Sequence, residues 1–140
     1  MDWLDKKIKA IQDCGDAKLH VMTRIPAAIE DIRHAVGRDI RRINEKLGMG
    51  MEFVTLDSVF SDRFQVTSSD GAYSSALYFD GDTLELVTIT GEGQKEKRYP
   101  VGRDGSDEIA FLEGSKRITA ERLSQKLLEP LMDSYFRLAE

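Results

Sequence analysis

The first stretch that could do chemistry is Asp80-Gly81-Asp82-Thr83, which follows the apolar run Ala76–Phe79. Two carboxylates spaced by one residue could hold Mg²⁺, and the first of them could attack phosphorus in a phosphoryl transfer. That chemistry needs a parallel sheet in which the loop leads toward a helix. The question is therefore whether the residues after the loop form a helix or a second strand.

The residues after this loop favour a strand, because Leu84–Thr90 is rich in β-branched side chains. A two-residue loop that begins with glycine, between two alternating runs, is typical of a type II′ hairpin. We expect that hairpin to pair Phe79 with Leu84 and Leu77 with Leu86. The two aspartates are accordingly interpreted as turn residues, and we assign them no catalytic role.

The lone cysteine and the two histidines form no recognisable site. A thiol nucleophile needs a nearby base, and Cys14 and His20 are close in sequence, but Gly15 is expected to end the helix between them. His34 lies four residues after Glu30, which is typical of a surface pair on a helix. One cysteine and two histidines give no spaced set of metal ligands.

An acidic loop at 103–108 could hold Ca²⁺ weakly, but it lacks the alternating ligands and distal glutamate of a calcium loop. We interpret it as a solvated turn. The sequence thus predicts no catalytic residue, no cofactor and no metal, and we expect the protein not to be an enzyme.

Three arginines, Arg38, Arg41 and Arg42, point away from the apolar side of a predicted helix and could contact an anion or an acidic partner. Asp31 and Glu45 share that face, so a mixed solvated helix is the simpler interpretation. Residues 51–140 carry 10 Lys and Arg against 17 Asp and Glu, and such an acidic half repels phosphate backbones. We expect no nucleic-acid binding.

The 140 residues, 41% apolar and 32% charged, are typical of one soluble domain spanning 1–140. The longest apolar runs cover only a few residues, which is too short to cross a membrane. The single cysteine excludes an intrachain disulfide and favours a cytoplasmic location.

The first 47 residues have a helical period. Leu4, Ile8 and Ile11 form an apolar stripe that Gly15 is expected to end, and Pro26 either opens a second helix or kinks a continuous one. A long helix is predicted over about 26–47. Its stripe is spaced 4, 3, 4, 4, 3, 4 and comprises Ile25, Ile29, Ile32, Val36, Ile40, Ile43 and Leu47.

The period changes to two in the middle of the chain. An antiparallel meander of five or six strands is predicted over about 52–112, because the turns are too short for parallel crossovers. The candidate strands are Glu52–Phe60, Arg63–Ser68, Ala72–Phe79, Leu84–Thr90, Lys97–Val101 and Ile109–Leu112.

A C-terminal helix is predicted over about 119–138, with Thr119 as N-cap and a kink at Pro130. The sequence thus predicts an α+β fold in which this helix and the long helix pack together on one face of the sheet.

The C-terminal helix has a wider apolar surface than one core contact needs, which favours a non-enzymatic protein-interaction module of the adaptor, chaperone or immunity type. The partner is expected to be another protein or a second copy of the chain. The candidate contact residues are Leu128, Met132, Tyr135, Phe136 and Trp3. The alternative is a helix-grip-like binder of small molecules, with an apolar pocket between the sheet and the long helix.

Overall fold

The computed structural model describes residues 2–47, 52–91, 93–103 and 109–137, including their side chains except those of 13–17, 59 and 103. A long helix is followed by a run of strands and then by a second helix, which confirms the predicted α+β fold. The elements are α1 (Trp3–Leu47), β1 (Val54–Phe60), β2 (Arg63–Ser68), β3 (Ser74–Asp80), β4 (Glu85–Thr90), β5 (Lys95–Arg103), β6 (Ile109–Glu113), β7 (Lys116–Ile118) and α2 (Ala120–Phe136).

The seven strands form one antiparallel sheet in which each strand pairs with the next along the chain. The six predicted strands correspond to β1–β6. The additional strand, β7, is three residues long and mostly charged, so the alternation in the sequence is too short to reveal it. A short charged strand at the edge of a sheet also discourages pairing with another chain.

Helix α1 is continuous, which differs from the predicted break at Gly15 and from a start near Pro26. One glycine costs a helix about 1 kcal/mol relative to alanine, which a long helix absorbs. Pro26 lies inside α1 on an exposed side. There the backbone carbonyl that loses its helical partner can bind water.

The core lies between the sheet and the two helices, and its side chains are between 0 and 7% exposed. The part of α1 that enters the core presents one stripe, which comprises Val21, Ile25, Ile29, Ile32, Val36 and Ile40. Helix α2 contributes Leu123, Leu127, Leu128 and Leu131. Apolar side chains thus occupy the space between the sheet and α1, where the alternative hypothesis expects a pocket.

Polar contacts fix the position of α1 against its neighbours. The Asn44 side chain accepts from the backbone N–H groups of Phe53 (2.8 Å) and Val54 (3.2 Å), and its amide donates to the Val54 carbonyl (3.0 Å). The Ser124 hydroxyl of α2 donates to the Asp39 carboxylate at 2.7 Å. These bonds set the register of α1 relative to β1 and α2, which apolar contacts alone leave free to slide.

The hairpin between β3 and β4 is confirmed, but its register is not the predicted one. Phe79 pairs with Leu86 and Leu77 with Thr88, so the loop is two residues longer than expected. Leu84 takes a positive φ of 55° in this loop. Its side chain packs against the core, which accounts for a non-glycine residue in a left-handed conformation.

We predict that the two halves of α1 respond differently to the same truncation. Ile29→Ala should lower the free energy of unfolding by about 2–5 kcal/mol, because Ile29 is fully buried. Ile11→Ala, at a position that is 62% exposed, should change it by no more than about 0.5 kcal/mol in a dilute sample. Urea unfolding followed by circular dichroism measures both, and equal losses would contradict the placement of Ile11 outside the core.

Candidate functional site

The N-terminal part of α1 extends beyond the core. Every residue from 2 to 12 is exposed, as are Lys18 and Leu19, and Val21 is the first buried side chain among those that the structure describes. Because residues on all sides of the helix are exposed, no described element packs against this part. We call residues 3–20 the projecting segment, and at 1.5 Å per residue it is about 27 Å long.

The projecting segment carries an apolar stripe with no cover among the described residues. We call it the projecting stripe, and it comprises Leu4 (48% exposed), Ile8 (45%), Ile11 (62%), Leu19 (64%) and Met22 (40%), the last lying at the edge of the core. At about 100° per residue these five side chains fall within about 80° of one another. Trp3, 75% exposed, stands at the start of the helix, about 80° beyond the edge of the stripe.

The projecting stripe partly overlaps the buried stripe of α1. At about 100° per residue, Ile29 and Ile40 fall within its angular range, and the other four buried positions lie on the adjoining side of the helix. Met22 marks the boundary, since its side chain lies next to Gly81 in the loop between β3 and β4. An apolar surface that adjoins the one bound to the sheet and α2 therefore runs on for about four turns without the sheet or α2 beneath it.

An uncovered stripe of this kind is unfavourable for a chain that remains alone. Each Leu or Ile gains about 1.5–3 kcal/mol on full burial, and isolated helices of this length are only marginally stable in water. A contiguous apolar patch on a protein surface usually marks an interaction site. The projecting stripe is therefore our candidate functional surface.

The predicted contact residues of α2 are buried or half-buried, whereas Trp3 is exposed. Leu128 is buried in the core, and Met132, Tyr135 and Phe136 are half-buried. Tyr135 and Phe136 pack against Phe53, with ring centroids 6.0 and 5.6 Å away, and the Tyr135 hydroxyl lies 3.0 Å from that of Ser69. The aromatic side chains at the end of α2 thus cover Phe53, which directly precedes β1.

Asp80, the first aspartate of the Asp80-Gly81-Asp82-Thr83 stretch, has a structural role. The Asp80 carboxylate accepts from the backbone N–H of Asp82 at 3.0 Å and from Arg98 at 3.0 Å. The hydrogen bond from Arg98 is the main cause that lowers the pKa of Asp80. Arg98 also contacts Glu85 (3.3 Å) and Glu96 (3.2 Å), and its own pKa is raised, chiefly by Asp80. Asp80 therefore closes the loop and joins β3 to β5 across β4.

No contact among the described side chains joins the two histidines. His34 lies 3.2 Å from Glu30, which confirms the predicted surface pair. His20 is partly exposed on α1, and the side chain of Cys14 lies outside the described residues. The predicted acidic turn also lies outside them, since 104–108 is not described.

The three arginines of the alternative anion site are exposed on α1. Arg38 lies 3.9 Å from Asp39 and 3.8 Å from Glu121 of α2. Arg38 thus helps to join the helices at their exposed edge, while Arg41 and Arg42 face solvent.

The described residues hold neither a cluster of metal ligands nor a membrane-spanning helix. No cluster of three or more His, Cys, Asp or Glu side chains there is arranged to hold a metal ion. No helix in the same part of the chain combines the length and apolar character needed to cross a membrane.

An ion triad lies between the sheet and α2. The Glu113 carboxylate of β6 is 2.9 Å from the Lys97 ammonium of β5 and 2.8 Å from the Lys126 ammonium of α2. The hydrogen bond from Lys126, followed by that from Lys97, lowers the pKa of Glu113 to about 2. One carboxylate shared by two lysines leaves this triad with a net positive charge.

Comparisons of the chain with protein-family models, with curated proteins and with solved structures returned no match.

The signal for the projecting stripe was present in the sequence. Leu4, Ile8, Ile11, Leu19 and Met22 share a helical period once the helix is allowed to continue through residue 15. The predicted helix end at Gly15 divides this period in two and therefore conceals the surface that the five residues share.

We predict that Glu113 contributes to stability above its ordinary pKa of 4.5 and that this contribution is lost as the pH falls toward about 2. Its folded pKa is depressed, so the folded state binds fewer protons than the unfolded state within this window. Glu113→Gln should therefore lower the urea midpoint near neutral pH, and the difference from the parent should shrink across the window.

The control for this prediction is Glu52→Gln, at an exposed position before β1. Its urea midpoint should follow that of the parent at every pH. A difference between Glu113→Gln and the parent that stays constant from neutral pH to about 2 would contradict the role of the triad.

Proposed function

We propose that this chain is a non-enzymatic protein-interaction module that docks through the projecting stripe of α1, and that the occupant of the stripe is a second copy of the chain. The observation that carries the proposal is an apolar stripe that adjoins the buried surface of α1 and continues, uncovered, for about four turns.

The helix dipoles favour an antiparallel arrangement of the two copies, because the dipoles of the two helices then oppose each other. Side-chain charge at the start of the segment is mixed, with Asp2 and Asp5 among Lys6, Lys7 and Lys9. An antiparallel pair that sets Leu4 opposite Leu19 of the second copy brings the two projecting stripes together over their length.

The length of the projecting segment fits the same arrangement. With Leu4 opposite Leu19, the two-fold axis lies between residues 11 and 12. Val21, where the core begins, then stands opposite residue 2 of the second copy. Each core therefore begins just beyond the start of the other helix, and the full stripe is covered without a collision between the two cores.

The energetics predict a reversible dimer. Ten stripe side chains in two copies, each gaining about 1 kcal/mol because they are already half covered, give about 10 kcal/mol. Association costs about 4–15 kcal/mol in lost freedom of motion, so the surplus is small. We therefore expect dimers at about tens of micromolar protein and monomers on dilution.

We predict that Ile11→Asp abolishes this association. A carboxylate near the two-fold axis would be buried close to its own copy, and the dissociation constant should rise by at least about tenfold. Ala10→Asp is the matched control, because it adds the same charge to an exposed residue on the opposite side of α1. Multi-angle light scattering should show a dimer for the parent and for Ala10→Asp, and a monomer for Ile11→Asp. A parent that is monomeric at every concentration would overturn the proposal.

A further inference from the structure

A polar groove runs along one side of α2, over the surface of β4 and β5 that faces the helices. Its volume is about 470 Å³, which is within the usual range of small-molecule sites. The groove forms because the side chains on this face of β4 and β5 change from apolar to polar along the strands. The pair Leu86 and Tyr99 is buried, whereas the neighbouring pair on the same face, Thr88 and Lys97, brings a charged side chain to a position that would otherwise be core.

A buried hydroxyl lines the groove, near that of Thr88 but without a hydrogen bond of normal geometry to any described residue. Tyr99 is 1% exposed, and its Oη makes no hydrogen bond of normal geometry with another described residue. An unsatisfied buried hydroxyl costs about 1–3 kcal/mol. Burial raises the pKa of Tyr99, an effect that the neighbouring Thr88 hydroxyl partly offsets, so the phenol is protonated at neutral pH and can donate.

The groove has opposite charges at its two ends. Arg122 and Lys126 of α2 lie at one end with Lys97, and Glu113 offsets only one of these three positive charges. Glu129 and Asp133 lie farther along α2 and make the other end negative.

The spacing of these charges matches a short peptide. Lys126 and Asp133 are seven residues apart on α2, which is about 10 Å along the helix axis. An extended tripeptide has a similar separation between its terminal ammonium and carboxylate groups, at about 3.3–3.6 Å per residue.

We propose that this groove binds a zwitterionic ligand of the short-peptide class. The ligand carboxylate lies at the end with Arg122 and Lys126, where it accepts from the Tyr99 hydroxyl, and the ligand ammonium lies at the end with Glu129 and Asp133. Lys97 lies over the Tyr99 ring at 5.6 Å and moves aside to admit the carboxylate. This site is separate from the projecting stripe and does not depend on dimer formation.

The experiment titrates the full chain with trialanine at concentrations up to about 10 mM and follows backbone amide shifts by NMR. Shifts at the groove residues of β4, β5 and α2 are expected. N-acetyl-trialanine, which lacks the ammonium, and trialanine amide, which lacks the carboxylate, should each bind about tenfold more weakly. Absence of saturable shifts with trialanine, or equal affinity for the three peptides, would overturn the proposal.

Tyr99→Phe tests the hydroxyl directly. It should weaken trialanine by about tenfold and leave the stability of the free protein unchanged or slightly higher, because the hydroxyl has no partner to lose. Tyr78→Phe, on the opposite face of the sheet, is the matched control and should bind as the parent does. If Tyr99→Phe binds trialanine as tightly as the parent, the assigned role of Tyr99 is wrong.

Discussion

The apolar stripe of α1 is longer than the surface that covers it. From Val21 to Ile40 the stripe lies on the sheet and α2 and supplies one side of the core. From Leu4 to Leu19 an adjoining apolar stripe, which partly overlaps the first, is exposed. Both the stability of the fold and the proposed dimer follow from this one feature, because the hydrophobic effect favours burial of the second part as it does of the first.

Directional contacts determine where the covered part of the stripe ends. Asn44 ties the end of α1 to the start of β1, and Ser124 ties α2 to Asp39. With α1 fixed at these points it cannot slide along the sheet to draw Leu4 or Ile8 into the core. The projecting segment is therefore a consequence of register as well as of helix length.

The sequence predicted the strands well because their alternation and turns are local signals. The prediction from sequence was wrong where the structure depends on contacts between residues that are far apart in the chain. Leu84 adopts a positive φ because its side chain reaches the core, and nothing in its type indicates this. Pro26 is a local signal for a helix end that the buried stripe around it overrides, and α1 also continues through Gly15, which lies in the projecting segment. The groove depends on the pairing of Thr88 with Lys97, which follows only from the register of β4 and β5.

The fluorescence of Trp3 tests the central claim most directly, because it is the chain's single tryptophan and stands on the projecting segment, 75% exposed. In the antiparallel pair Trp3 comes to lie near the start of the other core. The account predicts that the emission maximum shifts to shorter wavelength as the concentration of the pure protein rises through the dimer transition seen in light scattering. An emission maximum that remains at the wavelength of an exposed tryptophan at every concentration would contradict the proposed dimer.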